Sequence, residues 1–164
     1  MSSMQRVMKT MAVAMTLFAV GLAAPAFAAD AHVGTWKEDI AKSTFNPAPT
    51  GPAPMSIMRT YETYGDGLKA TLTTVSADGK SSTSSWSAHF DGKDYPFVGT
   101  PAIDTIALTR IDASTFTSEL KKEGKVVQRV RNAVSPDGKT ITATQKGTNA
   151  KGQHYADVLV FEKQ

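Results

Sequence analysis

The sequence predicts an all-β protein: an antiparallel up-and-down barrel of about 8–10 strands behind a cleaved signal helix. Three observations carry this. Turn signals recur at short spacing from Gly65-Asp66-Gly67 to Lys151-Gly152, including Asp78-Gly79, Asp91-Gly92, Asp112-Ala113, Glu123-Gly124 and Asp137-Gly138. Glycine after an acidic residue tolerates the positive φ that tight hairpins demand. Between the turns, apolar and polar residues alternate with the strand period of two. Threonine and serine are frequent in these segments, and breakers arrive too often for ordinary helices.

The elements follow in chain order. Arg6 and Lys9 form a basic start, and residues 11–24 are apolar apart from Thr16. Pro25 and Ala26-Phe27-Ala28 then fit a signal-peptidase site. Cleavage is expected after Ala28, with Ala29 as the alternative. An uncleaved anchor is the rival, but the run of about 14 apolar residues is short of the roughly 20 that span a bilayer. The style of the signal is bacterial, which places the mature chain in the periplasm or outside the cell. The mature chain, residues 29–164, is one domain's worth and long enough to close a core without staples. The chain has no cysteine, which excludes disulfides, thiolate metal sites and a cysteine nucleophile. Lys+Arg number 18 and Asp+Glu 15; without Arg6 and Lys9 the balance is 16 against 15. A net charge of +1 gives no electrostatic argument for nucleic acid or anionic membranes.

Strands are expected at 33–38, 56–64, 68–76, 81–90, 94–98, 105–111, 115–121, 125–134, 139–146 and 153–163. Residues 39–54 differ in kind. They hold Pro47, Pro49, Gly51, Pro52 and Pro54, so an extended loop is expected there, with a short turn near 39–43. Asp-Gly-Lys occurs three times at unequal intervals, which is repeated hairpin chemistry and not domain duplication. The period-two pattern puts Trp86, Ala88 and Phe90 on one face, Ile106 and Leu108 with Arg110, and Phe116 with Leu120. It also groups Val126 and Val130 with Gln128, Ile141 with Ala143, and Tyr155 with Leu159 and Phe161. Sequential hairpins with one buried face make a meander. Ten strands would curl and close because closure removes exposed edges; a two-sheet sandwich is the alternative.

Gly34-Thr35-Trp36-Lys37 on the first strand resembles the Gly-x-Trp opening of the lipocalin and fatty-acid-binding protein superfamily. Leu159-Val160-Phe161-Glu162-Lys163 resembles the last strand of fatty-acid-binding proteins. Trp36-Lys37, Lys42-Ser43-x-Phe45, the Pro-rich loop and Arg59-Thr60-Tyr61 are similar to exported bacterial lipocalin-like proteins. The resemblance implies an up-and-down barrel around a cavity for a small apolar molecule. It departs from the family pattern at two places. The helix pair that lids the fatty-acid-binding proteins is replaced by the Pro-rich segment. The Arg-x-Tyr pair that holds a carboxylate on their final strand is replaced by Leu159 and Phe161.

Candidate chemistry is sparse. His32, His89 and His154 show no metal-ligand spacing and are expected to be exposed strand or terminal residues. No Gly-x-Ser-x-Gly elbow or phosphate loop occurs, so neither a catalytic set nor a cofactor or metal is expected. Polar residues on otherwise apolar faces stand out: Arg59 with Ile57 and Tyr61, Arg110 with Leu108, and Gln128 with Val130. In a cavity barrel such groups orient a ligand's polar end while aromatics cover its apolar body. The candidate lining is therefore Trp36, Arg59, Tyr61, Trp86, Arg110, Phe116, Gln128, Tyr155 and Phe161. The bland reading snorkels Arg110 to water and turns Arg59 outward behind an inner set of Met58, Thr60 and Tyr64. Arg129 and Arg131 read as solvated surface.

The leading functional expectation is an exported, monomeric, non-enzymatic binding protein for a small, mostly apolar ligand. The alternative is a protein-interaction or inhibitor module that uses the rigid Pro-rich loop, since rigid loops lose less entropy on binding.

Overall fold

A computed structural model describes residues 30–48, 51–149 and 151–164. The expected signal segment and its cleavage site lie outside the described residues. Among the described residues there are ten strands: β1 (Gly34–Glu38), β2 (Ser56–Tyr64), β3 (Gly67–Val75), β4 (Ser81–Ala88), β5 (Tyr95–Val98), β6 (Thr105–Asp112), β7 (Thr115–Lys122), β8 (Lys125–Val134), β9 (Thr140–Thr148) and β10 (His154–Lys163). Each pairs antiparallel with its sequence neighbours, and β1 closes on β10 to complete a barrel. The sandwich alternative is therefore set aside. Among the described residues, closure leaves no free edge strand.

Local chemistry explains the meander. Gly79, Gly92, Gly124, Gly138 and Gly152 all take positive φ at the hairpin turns. Between β7 and β8 both Glu123 and Gly124 do so, the backbone that a two-residue hairpin with matching twist requires. The β1–β10 seam has a short register, Trp36 with Lys163 through Glu38 with Phe161. It is lengthened by the start of the Pro-rich segment. A turn at 39–43, capped by Asp39 Oδ1 on the Ala41 and Lys42 amides, returns the chain to the sheet. Thr44 and Val158 then exchange both backbone bonds, at 2.7 and 2.8 Å. What the sequence offers as a loop is thus, in its first part, an extension of the wall.

Alternation sorts the lumen into two halves. One end carries the β2–β3, β4–β5, β6–β7 and β8–β9 turns, and its interior is filled. Trp36, Leu68, Leu108, Phe116, Ile141 and Phe161 are fully buried there. Residues 30–33 fold across this end. His32, expected to be exposed, is completely buried, with its ring 4.6 Å from that of Phe116. The Trp36 indole N–H donates to the His32 carbonyl at 2.8 Å, which ties the plug to the first strand. The other end carries the β1–β2 segment and the β3–β4, β5–β6, β7–β8 and β9–β10 turns. Inward positions there are only half-buried: Ile57, Leu72, Thr74, Ser84, Gln128, Gln145 and Tyr155.

One face assignment changes. A register shift between Leu120 and Lys121 sets Val126 opposite Lys121, while Gln128 stays opposite Leu120. The extra residue, Val127, is a bulge, and it takes Val126 off the row that Gln128 and Val130 share.

Candidate functional site

Arg59 lies on the inner row of β2 between Ile57 and Tyr61 and is 9% exposed, so the outward alternative does not hold. Its Nη1 donates to Asn132 Oδ1 at 3.3 Å. Asn132 is on β8, and β1, β10 and β9 stand between the two strands. The contact therefore crosses the lumen. The guanidinium also sits 4.1 Å above the Phe161 ring, a desolvated cation–π contact. Together these groups form a floor between the filled half and the open half.

Two buried carboxylates share this region. Glu38 follows Trp36 by two residues on the inner face of β1 and is 5% exposed. Neither of its oxygens has a hydrogen-bond partner, nor does Arg59 Nε. The nearby Ser43 hydroxyl donates instead to the Asp39 carbonyl at 3.0 Å. Burial pushes the Glu38 carboxyl up; Ser43 and Arg59 oppose the shift and Asp157 adds to it. Asp157, on β10, is well satisfied: Oδ1 accepts from the Asn46 amide at 3.0 Å and Oδ2 from Gln145 Nε2 at 2.9 Å. Gln145 Oε1 in turn accepts from Gln128 Nε2 at 2.8 Å. A relay thus runs Gln128 to Gln145 to Asp157 along the inner wall of β8, β9 and β10.

The outer end of that relay meets a pocket of about 700 Å³. Its lining takes Ser118, Gln128, Val130, Gly147 and Tyr155 from inner rows and a larger share from outer rows, among them Thr117, Glu119, Arg129, Arg131, Lys146 and His154, so the pocket opens chiefly on the outer face of the wall. No residue of β1–β6 contributes, so the pocket belongs to the β7–β10 wall at the bulge and not to the centre of the lumen. Gly147 makes it. A Cβ there would stand 2.6 Å from both the Val127 carbonyl oxygen and Tyr155 Oη, so only glycine lets the tyrosine lie across the strand. Burial raises the Tyr155 phenol, and the Asp157 charge adds to that shift.

The nine residues picked out in the sequence divide between the two halves. Gln128 and Tyr155 line the pocket. Arg59 and Phe161 meet at the floor. Trp36, Tyr61, Trp86 and Phe116 belong to the packed core. Arg110 is at the plugged end, where it pairs with Asp30 and lies 3.7 Å above the Phe90 ring. It is thus engaged by a carboxylate and not snorkelled free. Of the histidines, His89 sits beside Asp66 and His154 is exposed. Among the described residues no cluster of three or more histidine or acidic side chains is placed to hold a metal.

Glu38, Asn132, Gln145 and Asp157 were not singled out by the sequence reading. The signal was present in the alternation: each lies two residues from an apolar inward position, at Trp36, Val130, Ala143 and Leu159. A polar residue in an inner row is the mark they share with Arg59 and Gln128.

No protein-family model matches the chain, and no curated protein matches it. Three chains among solved structures do. One is the zebrafish ileal bile acid-binding protein complexed with cholic acid, with 12% sequence identity, a TM-score of 0.48, and coverage of 82% of this chain and 99% of that one. The fold described above rests on the strand pairing itself.

Proposed function

We propose that this protein binds a small, mostly apolar molecule at the open half of its barrel, in the pocket of the β7–β10 wall. One observation carries the reading: the inner wall is packed solid at one end and half-exposed at the other, and at that open end the β7–β10 wall holds a pocket to which Gln128, Val130 and Tyr155 contribute. A few placed polar groups on a largely apolar concave wall is the common form of a small-molecule site. The filled half, the plug and the Arg59 floor supply rigidity, so little ordering is left to oppose binding. No step of this reading needs a cofactor or a catalytic group.

We further propose that residues 29–164 are the mature, exported form, with residues 1–28 removed. The basic start, the short apolar run and the Ala-Phe-Ala site support this. The intact mass of the protein from its source cells tests it. A chain that retains Met1 contradicts it.

Native mass spectrometry of protein taken gently from its source cells tests the binding reading. The expected result is a non-covalent small-molecule adduct that apolar probes displace saturably. Absence of both an adduct and a saturable probe response would overturn it.

A further inference from the structure

We infer that the β7–β10 pocket takes a molecule whose polar end is a phosphate monoester, held by Arg131 and Lys146, with its apolar body on the bulge; this rests on the binding reading above. The first ground is the charge of the lining. Arg129, Arg131 and Lys146 stand there against Glu119 alone. Glu119 is already committed, because its Oε1 accepts from Arg129 Nε at 2.9 Å. The neighbouring cations Lys121, Lys122 and Arg129 all have carboxylate partners, whereas Arg131 and Lys146 have none among the described residues. The Ser114 amide chiefly holds the Asp112 carboxyl below its ordinary value; Arg131 adds the least of the effects and forms no ion pair with it. Two cations in one pocket are thus left without a counter-charge.

The second ground is the register. Arg129 lies directly opposite Lys146 across β8 and β9, and Arg131 lies opposite Thr144. Like charges directly opposite weaken a sheet, and a diagonal neighbour such as Arg131 is only roughly 7–8 Å from Lys146. An anion among them relieves that repulsion. A phosphate monoester carries about −1.5 to −2 at pH 7 and offers three acceptor oxygens, which matches two free cations; a carboxylate carries half of that. The guanidinium fork fits phosphate, and Thr117 and Thr144, on either side of Arg131, bring hydroxyl donors to the same face. The third ground is the order of groups along the wall. Val126 and Val127 stand at the bulge, followed by Gln128 level with Gly147 and Tyr155. Arg129 with Lys146, and then Arg131 with Thr144, come next toward the plugged end. Apolar body and charged head therefore have separate places. Asp157 is the charge that opposes an anion, but it is buried on the inner face and held by the Asn46 amide and Gln145.

Titration calorimetry on the purified protein at pH 7.5 tests this with dodecyl phosphate, dodecanoate, dodecanol and dodecylamine, all below their micelle-forming concentrations, and with inorganic phosphate alone. Dodecyl phosphate should bind tightest, about tenfold beyond dodecanoate, with dodecylamine weakest. Added sodium chloride should weaken dodecyl phosphate and leave dodecanol unchanged. Arg131→Gln and Lys146→Gln should each weaken dodecyl phosphate about tenfold and leave dodecanol within about twofold. Both side chains are exposed, so their loss spares the core. Lys125→Gln, which removes a charge of the same sign from the same strand but outside the lining, should change nothing. Dodecylamine or dodecanoate binding as tightly as dodecyl phosphate, or Lys125→Gln costing as much as Arg131→Gln, would overturn the phosphate site and leave the binding reading standing on dodecanol. Inorganic phosphate binding as tightly as dodecyl phosphate would overturn the apolar body, and with it both readings. No saturable binding of any probe would remove the site and the inference together.

Discussion

Arg59 is the residue on which the interior turns. Among the described residues it is the one buried guanidinium or ammonium beside two buried carboxylates, and its removal leaves both without a counter-charge. Breaking a buried charge arrangement costs about 3–5 kcal/mol. Arg59→Met should therefore lower stability by about 3 kcal/mol at pH 7 in urea unfolding, with a smaller loss at lower pH where Glu38 takes up its proton. Glu38 itself acts in the opposite sense. Its carboxyl is held above the ordinary 4.5, so the folded state binds the extra proton and stability falls as pH rises from about 4.5 through the folded value. Glu38→Gln should raise stability at pH 7 and flatten the profile above pH 4.5; an unchanged profile would show that the carboxylate is relieved by water. Asp30 reports on the far end. Burial alone would raise it, but hydrogen bonds from His32 and from Arg110, with the Arg110 charge, outweigh that and lower it to about 2. Its contribution is complete above the ordinary 3.8 and is lost as pH falls from 3.8 through 2. Asp30→Asn should cost about 2 kcal/mol at neutral pH and remove that acid-side loss.

At the scale of the element, the strands were legible because their chemistry is local. Acidic-Gly turns and period-two alternation place all ten, and most bounds agree with the sequence reading to within a residue or two. What escaped depends on distant partners. The bulge at Val127 comes from the pairing of β7 with β8, and nothing within β8 announces it, so Val126 was grouped with the wrong row. The burial of His32 follows from a chain crossing the barrel end, which no local pattern encodes. The seam extension at 44–46 was hidden because prolines on its far side dominate the composition. Of the site, Arg59, Gln128 and Tyr155 were readable as polar or amphipathic residues in inner rows. Glu38 and Asp157 were readable by the same rule, but charged residues in strands usually signify solvent. Gly147 tests the account of β9. Gly147→Ala forces the Val127 carbonyl or the Tyr155 ring to move, and should cost about 2 kcal/mol while weakening probe binding in calorimetry. A neutral substitution would mean that the wall is softer than its packing.

The whole molecule is a closed ring of very unequal joints. β5 contributes two register pairs to β4 and two to β6, whereas β7, β8 and β9 pair along nearly their full lengths. Local opening draws on the weakest joints first. Amide hydrogen exchange should therefore be fastest at β5 and slowest across β7–β9, with the β1–β10 seam between them. The asymmetry suits the proposed use, because the pocket lies on the stiffest part of the wall. The central claim is that the filled half is scaffold and the open half is the site. Chemical-shift mapping of the protein during a dodecyl phosphate titration tests it most directly. The account predicts saturable shifts at the Gln128 and Gln145 side-chain amides and at Tyr155, with Trp36, Phe116 and His32 unmoved. Shifts centred on Trp36 and Phe116, or scattered over the outer surface without saturation, would contradict it.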